Sequence, residues 1–394
     1  MSLSVSKRMA RVKPSPTGAV LALATELRAA GRDIISLGTG EPDFDTPQAI
    51  KDAAIAAIAS GATKYTPIDG TAELKAAIQS KFTRDNDLHY ELAQIVVSSG
   101  AKQCLFNLCM GLLSPGDEAI IPAPYWVSYP DMVLLAEAEP VVIATGIDDD
   151  FKITPAQLEA SISANSRLLI LNSPSNPTGA CYSEAELKVL GEVLEAHPQI
   201  VIAADDIYEP IHWADEPFVS FASACPALLD RTVTINGVSK TYAMTGWRIG
   251  YAGGPPELIQ AMKTLQSQST SNPCSVSQEA ARAALEGDQS IVADMVGEYR
   301  ARHDYLVAAL NDIPGFECRA GEGTFYAFPR VSDAIERLGL ANDTALTERL
   351  INEANVAVVP GSAFGAEGYL RLSFACSMDT LQQAVGRIKG AVSA

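Results

Sequence analysis

Through the first two-thirds of the chain, short apolar runs rich in Val and Ile alternate with longer stretches whose apolar positions recur every three to four residues. The short runs predict strands at 95–98, 118–121, 140–144, 167–171, 200–204, 231–235 and 249–253, and the longer stretches predict helices that include 101–113, 126–137, 155–163 and 183–196. Such alternation specifies a mostly parallel central sheet covered by helices on both faces, an α/β fold. After about residue 275 the rhythm changes. Long helices at 275–286 and 289–311 precede short strands near 316–319, 324–328, 356–359 and 369–372, and a last helix spans 378–392. An amphipathic helix at 17–30 and a strand at 34–37 open the chain. The pattern therefore predicts a large α/β domain over 46–288, with 1–45 and 289–394 forming a smaller α+β domain.

Polar motifs follow the predicted strands. Ser98-Ser-Gly-Ala-Lys102 follows one, Asn172-Ser-Pro-Ser-Asn-Pro-Thr-Gly179 a second, Asp205-Asp-Ile-Tyr208 a third, and Lys240 lies just past a fourth. In open α/β sheets ligands bind beyond the carboxyl ends of the strands, so the four motifs are expected to meet in one crevice. A lysine withdrawn from water can lose its proton and attack an aldehyde. A guanidinium such as Arg248, eight residues on, can hold a phosphate. Lys240 and Arg248 together point to covalently bound pyridoxal 5'-phosphate.

The other motifs supply matching chemistry, each beside a plainer reading. Small residues at Gly100, Ala101 and Lys102 let helix-start amides approach a phosphate, although the same run suits an ordinary strand-to-helix turn. Asp205 can keep a pyridine nitrogen protonated, with Tyr208 on the ring hydroxyl; Asp205 could equally cap a helix, and Asp206 is its rival. Asn176 can donate to the same ring oxygen or simply shape a turn. Trp126 can stack on a cofactor or fill a core. Arg371, on a strand that otherwise alternates with apolar residues, wants a carboxylate from a ligand or a structural ion pair.

Size and composition narrow the field. At 394 residues, with 47% hydrophobic and 19% charged residues, the chain suits about two globular domains. No apolar leader opens it and no apolar stretch is long enough to span a bilayer, so a cytoplasmic protein is expected. The net charge of −18 argues against nucleic acid and anionic membranes as partners. It also requires that any anionic ligand be held by a few local cations. Seven scattered cysteines and four histidines show neither disulfide nor metal-ligand spacing, so no metal is expected.

Taken in order, these residues, together with Lys13-Pro-Ser-Pro-Thr17, Gly40-Glu-Pro-Asp-Phe-Asp-Thr-Pro47 and Lys64-Tyr-Thr-Pro67, resemble the class I aminotransferases, fold type I of the pyridoxal phosphate enzymes. Tyr125-Trp-Val-Ser-Tyr129 and Ala243-Met-Thr-Gly-Trp-Arg248 are most similar to the bacterial aspartate and aspartate/prephenate branch. The resemblance implies that Lys240 carries the cofactor and later moves the α-proton, that Asp205 pairs with its ring nitrogen, and that Tyr208 and Asn176 hold its hydroxyl oxygen. It implies stacking by Trp126, and phosphate binding by Arg248 and the amides of Gly100, Ala101 and Lys102. Tyr65 would reach that phosphate from a neighbouring subunit, which makes a homodimer the functional unit. Arg371 would clamp the substrate carboxylate, helped by Gly40 and Asn176.

Two departures from the pattern stand out. No basic residue between Lys263 and Arg282 can read a second carboxylate, which leaves Lys102, then Lys13 and Thr17. Gly237 stands where some relatives place a phosphate-binding serine, so either Ser239 or Thr245 compensates or that contact is absent. The implied reaction is ping-pong transfer of an amino group from an amino acid, with aspartate favoured, to a 2-oxo acid such as 2-oxoglutarate. Prephenate or aromatic acids are further acceptors. A lyase of the same fold is the rival in chemistry, and a ligand-sensing regulator the remote one.

Overall fold

The structure is a computed structural model that describes Leu3 and residues 5–393. Twelve strands appear among the described residues. A two-residue strand β1 (Ile35–Ser36) comes first, followed by β2 (Ile95–Ser98), β3 (Glu118–Ala123), β4 (Glu139–Ala144) and β5 (Ser166–Asn172). Next are β6 (Val201–Asp205), β7 (Thr232–Gly237) and β8 (Gly250–Gly253). The short strands β9 (Tyr326–Ala327), β10 (Val356–Ala357), β11 (Val359–Pro360) and β12 (Leu370–Ser373) complete the set.

β2 to β8 form one seven-stranded sheet in the order β2-β8-β7-β6-β5-β3-β4. Its central strands are mostly buried because helices cover both faces, although β7 carries the buried polar Thr232, Thr234 and Asn236 and the edge strand β4 is partly exposed. β8 alone runs against the others, pairing antiparallel with both β2 and β7. β2, β5, β6 and β7 therefore all point their carboxyl ends to the same edge, and the motifs that follow them share it.

The short strands make two further small sheets. β1 pairs in parallel with β10, so the start of the chain docks against its last third. β12 lies between β11 and β9 and carries Arg371. The apolar cluster around Leu306, Leu350, Leu372 and Ile388 takes in Ile35 and Leu37 as well as Tyr208 and Ile211. Helix Ser290–Asn311 runs from the edge of the large sheet into this cluster.

Several elements depart from the sequence reading. The helix expected over 126–137 spans only Tyr129–Leu135, because Pro124 and the turn through Ser128 delay its start. The strand expected at 316–319 is reduced to a single bridge between Glu317 and Arg330. Helices Gln48–Ala59, Ala72–Asn86, Pro256–Gln268, Ser332–Arg337 and Asp343–Glu353 are present in addition to those named from the pattern. Among the described residues, no helix is long and apolar enough to cross a membrane.

Candidate active site

The four strand-end motifs do converge. They enclose a cavity of about 270 Å³ at the carboxyl edge of the sheet, closed from the other side by the Gly40 segment, Tyr326 and Arg371. Lys240 sits on the turn after β7. Its Nζ donates to the Gly40 carbonyl oxygen at 2.6 Å and lies 5.9 Å from the centre of the Phe325 ring. Burial depresses its pKa to about 8, and the nearby Arg248, Arg371 and Lys102 act in the same direction against the opposing Glu41. Such an amine is far easier to deprotonate than a solvated lysine.

Asp205 closes β6 on the cavity floor. Tyr129 donates to its Oδ2 at 2.6 Å, and burial raises its pKa to about 6. No helix follows it, only a turn at 207–210, so the capping reading fails. Asp206 accepts from the Ser220 hydroxyl at 2.5 Å and does not line the cavity, which removes it as rival. Its buried carboxyl is pushed well above the usual range by burial and by Glu209.

Asn172, at the end of β5, donates to the Asp205 carbonyl at 2.7 Å and accepts from the Asn176 backbone N–H at 2.8 Å. One side chain thus ties the Asn176 loop to the Asp205 strand. Tyr208 hydrogen-bonds Tyr326 between hydroxyls at 3.0 Å.

At the mouth, helix Ala101–Leu112 begins with Gly100 in a positive-φ conformation (95°) and no capping side chain. The N–H groups of Ala101 and Lys102 meet no acceptor among the described residues, as expected for a first helical turn. Arg248 lies over them. A Cβ on Gly100 would come within 2.3 Å of its Nη2 and would displace the arginine, and the positive φ of 95° itself favours glycine there. The Arg248 guanidinium donates to the Thr245 carbonyl and forms no ion pair among the described residues. Ser239 and Thr245 both line the cavity. A side chain on Gly237 would crowd the Ile249 carbonyl at 3.0 Å, so the position left without serine is closed by the turn itself.

Arg371 is only 2% exposed. Its Nη1 donates to Asn176 Oδ1 at 3.0 Å and its Nη2 to the Gly38 carbonyl at 2.7 Å, while Nε has no partner among the described residues. The guanidinium lies 4.5 Å from the Tyr326 ring centre and 4.9 Å from that of Phe364. No carboxylate of the described residues pairs with it. Lys102 Nζ stands 4.7 Å from the Trp126 ring, its pKa lowered by burial and then by Arg248. Four cationic side chains thus face one carboxylate, Asp205, in a strongly acidic protein.

Of the expected residues, Thr17, Gly40, Ala101, Trp126, Asn176 and Tyr208 line the cavity with the four cations and Asp205. Gly100 borders it through Arg248. Two are not brought in. Tyr65 is 92% exposed, and Lys13 is exposed with its backbone N–H on Asp131. Sequence reasoning missed Tyr129, Asn172 and Tyr326. Tyr129 stood within the quoted Tyr-Trp-Val-Ser-Tyr run, three positions after Trp126, but its partnership with Asp205 spans 76 residues.

The site fits pyridoxal phosphate on its own geometry: a half-buried amine with depressed pKa, an acid on the floor, and an anion cradle of free amides under an arginine.

Similarity to known proteins runs the same way. The aminotransferase class I and II family matches residues 32–388. The chain is 56% identical to the aspartate/prephenate aminotransferase of Nitrosomonas europaea, over 99% of this chain and all of that one. It is 53% identical to the protein of the same name from Cereibacter sphaeroides, over 98% of each. The crystal structure of the Rhizobium meliloti aspartate aminotransferase superimposes with a TM-score of 0.95 at 46% identity, covering 100% of this chain and 99% of that one. The Thermus thermophilus aspartate aminotransferase with maleate gives 0.94 at 39% identity, covering 99% and 100%. This chain belongs to the class I and II aminotransferases. It is a pyridoxal phosphate-dependent enzyme that moves amino groups between amino acids and 2-oxo acids.

Proposed function

We propose that the enzyme transfers the amino group of L-aspartate to 2-oxoglutarate, with prephenate as a further acceptor. The observation that carries this reading is Arg371, a buried guanidinium without an acidic partner among the described residues, facing a cavity that also holds Lys102. Two separated cations suit a substrate with two carboxylates. The names of the Nitrosomonas and Cereibacter relatives support the choice, and so does the Thermus aspartate aminotransferase with maleate, a dicarboxylate.

In this reading Lys240 is the point of covalent attachment, Asp205 holds the proton on the pyridine nitrogen, and Tyr208 and Asn176 bind the ring hydroxyl oxygen. Trp126 stacks on the ring. Arg248 and the amides of Gly100, Ala101 and Lys102 take the phosphate, with Ser239 and Thr245 beside them. Pyridoxal phosphate, when bound, supplies an electron sink for negative charge at the substrate α-carbon. Arg371, assisted by Asn176 and Gly40, would orient the α-carboxylate, and Lys240 would be the base and acid for the proton at the substrate α-carbon. Lys102 reads the distal carboxylate, with Thr17 also lining the cavity and Lys13 available only if the N-terminal segment moves inward.

We also propose a homodimer in which Tyr65 completes the partner's phosphate site. Its 92% exposure, and that of Ile55 and Ile58 on the preceding helix (61% and 58%), support an interface there. The division into 46–288 and 1–45 with 289–394 is part of the same proposal, supported by the pairing of β1 with β10.

A single-turnover panel tests the substrate. Aspartate and glutamate should shift the absorbance of the bound cofactor faster than neutral amino acids, and equal rates would remove the dicarboxylate preference. Release of a 2-oxo acid rather than an elimination product separates transfer from lyase chemistry.

A further inference from the structure

Tyr326 lines the catalytic cavity, is 1% exposed, and comes from a different sheet than the residue it meets there. It belongs to β9, which pairs with β12 through Ser373, two residues beyond Arg371. Tyr208 instead follows β6 of the large sheet. The two hydroxyls stand 3.0 Å apart. Their rings are held in place, since Tyr208 packs edge-on against Phe325 at 5.6 Å and against Tyr326 at 6.0 Å. Gly40 closes over Tyr326, and a Cβ at that glycine would stand 2.5 Å from the phenolic oxygen.

Two hydroxyls can share a hydrogen bond in either direction, and the surroundings select one. Tyr208 is the only hydrogen-bond partner of the Tyr326 hydroxyl among the described residues. Acceptors around the cavity already serve other donors: the Gly40 carbonyl accepts from Lys240, Asn176 Oδ1 from Arg371 and Asp205 Oδ2 from Tyr129. A buried O–H seldom goes unpaired, so Tyr326 satisfies its own by donating to Tyr208. The Arg371 guanidinium favours the same direction. It lies 4.5 Å from the Tyr326 ring centre, and its charge opposes the burial that raises this phenol's pKa, which makes Tyr326 a better donor than acceptor. Tyr208, having accepted one hydrogen bond, keeps its own proton for an oxygen in the cavity and donates it more strongly.

We propose that Tyr326 is a positioning residue for the cofactor: its hydroxyl donates to Tyr208 and thereby directs the Tyr208 proton onto the ring hydroxyl oxygen of pyridoxal phosphate. This role rests on the proposed placement of Tyr208 at that oxygen. Tyr326 touches neither the ring oxygen nor the reacting atoms, and it acts through Tyr208.

Fluorescence titration of the full-length apoenzyme tests this with two cofactors, pyridoxal phosphate and 3-deoxypyridoxal phosphate, which lacks the ring hydroxyl. Tyr326→Phe should weaken binding of pyridoxal phosphate about threefold to tenfold, the worth of one hydrogen bond, and leave binding of the 3-deoxy analogue unchanged. Tyr208→Phe should show the same selective loss, and adding Tyr326→Phe to it should weaken binding no further. In the holoenzyme, Tyr326→Phe should raise the pH midpoint of the cofactor's absorbance change by about half a unit, because the anionic ring oxygen loses a firmly aimed donor. Equal weakening of both cofactors would reduce Tyr326 to packing and overturn the proposal. An unchanged affinity for pyridoxal phosphate overturns it too, as does a Tyr326→Phe loss that persists in the Tyr208→Phe background. If Tyr326→Phe weakens succinate binding while the selectivity for the ring hydroxyl stays intact, the hydrogen bond runs the other way and the proposal fails. A Tyr208→Phe variant with no hydroxyl-dependent loss would instead remove the placement of Tyr208 itself, and this role with it.

Discussion

Lys240 carries a cost that can be measured without any substrate. Its folded-state pKa of about 8 lies below the ordinary 10.5, so between those values the unfolded chain holds the extra proton. Stability contributed by this group therefore rises with pH across that window, and the penalty is fully present below pH 8. In the cofactor-free protein Lys240→Met should be more stable than wild type at pH 7, by on the order of a few kcal/mol. The gap should narrow by about 2 kcal/mol by pH 9.5, as read by urea unfolding at each pH. A gap independent of pH would mean that Lys240 is not desolvated. Arg371 makes a second test. Lysine keeps the charge but cannot hold Asn176 Oδ1, the Gly38 carbonyl and a carboxylate together. Losing one arm of a buried charge pair costs about 2–5 kcal/mol, so Arg371→Lys should lower kcat/KM for aspartate by roughly 10²-fold while the protein stays folded and keeps its cofactor.

The crossing of β8 with the start of helix Ala101–Leu112 is the tightest contact around the phosphate cradle. A Cβ at Gly250 would stand 2.0 Å from the Ala101 nitrogen, whereas one at Gly246 meets nothing within 4 Å. Gly250→Ala should displace the helix start, cost about 1–3 kcal/mol, and weaken cofactor affinity in a fluorescence titration, with Gly246→Ala as the silent control. This contact also marks the limit of what the sequence disclosed. β2, β5, β6 and β7 were legible because buried strands are short runs rich in apolar and β-branched residues, and the polar residues after them had one place to go. The reversed direction of β8 was not legible, since an apolar strand reads the same either way. Tyr326 escaped for a different reason. Its hydroxyl meets Tyr208 across 118 residues, and no local spacing encodes such a meeting.

At the scale of the whole molecule, a single chain leaves Tyr65 outside every contact the site requires. If two subunits share their sites, mixing Lys240→Ala with Tyr65→Asp under reversible dissociation should restore activity that neither has alone, because half of the hybrid's sites then carry both native residues. An inactive mixture, with hybrid dimers demonstrated by native mass spectrometry, would put Tyr65 outside the machinery. Lys13 and Tyr65 lie away from the cavity, and under the proposed dimer only movement of the N-terminal segment or a second copy would bring them to it.

Arg371 lies between the rings of Tyr326 and Phe364 and is shut off from solvent before any substrate arrives. Its hydration shell was shed once, during folding, so an incoming carboxylate gives up only its own water. A ping-pong enzyme must receive and release carboxylic acids twice in every cycle. If Arg371 receives them as proposed, both halves of the cycle would begin from the same anchor, already stripped of most of its water by folding.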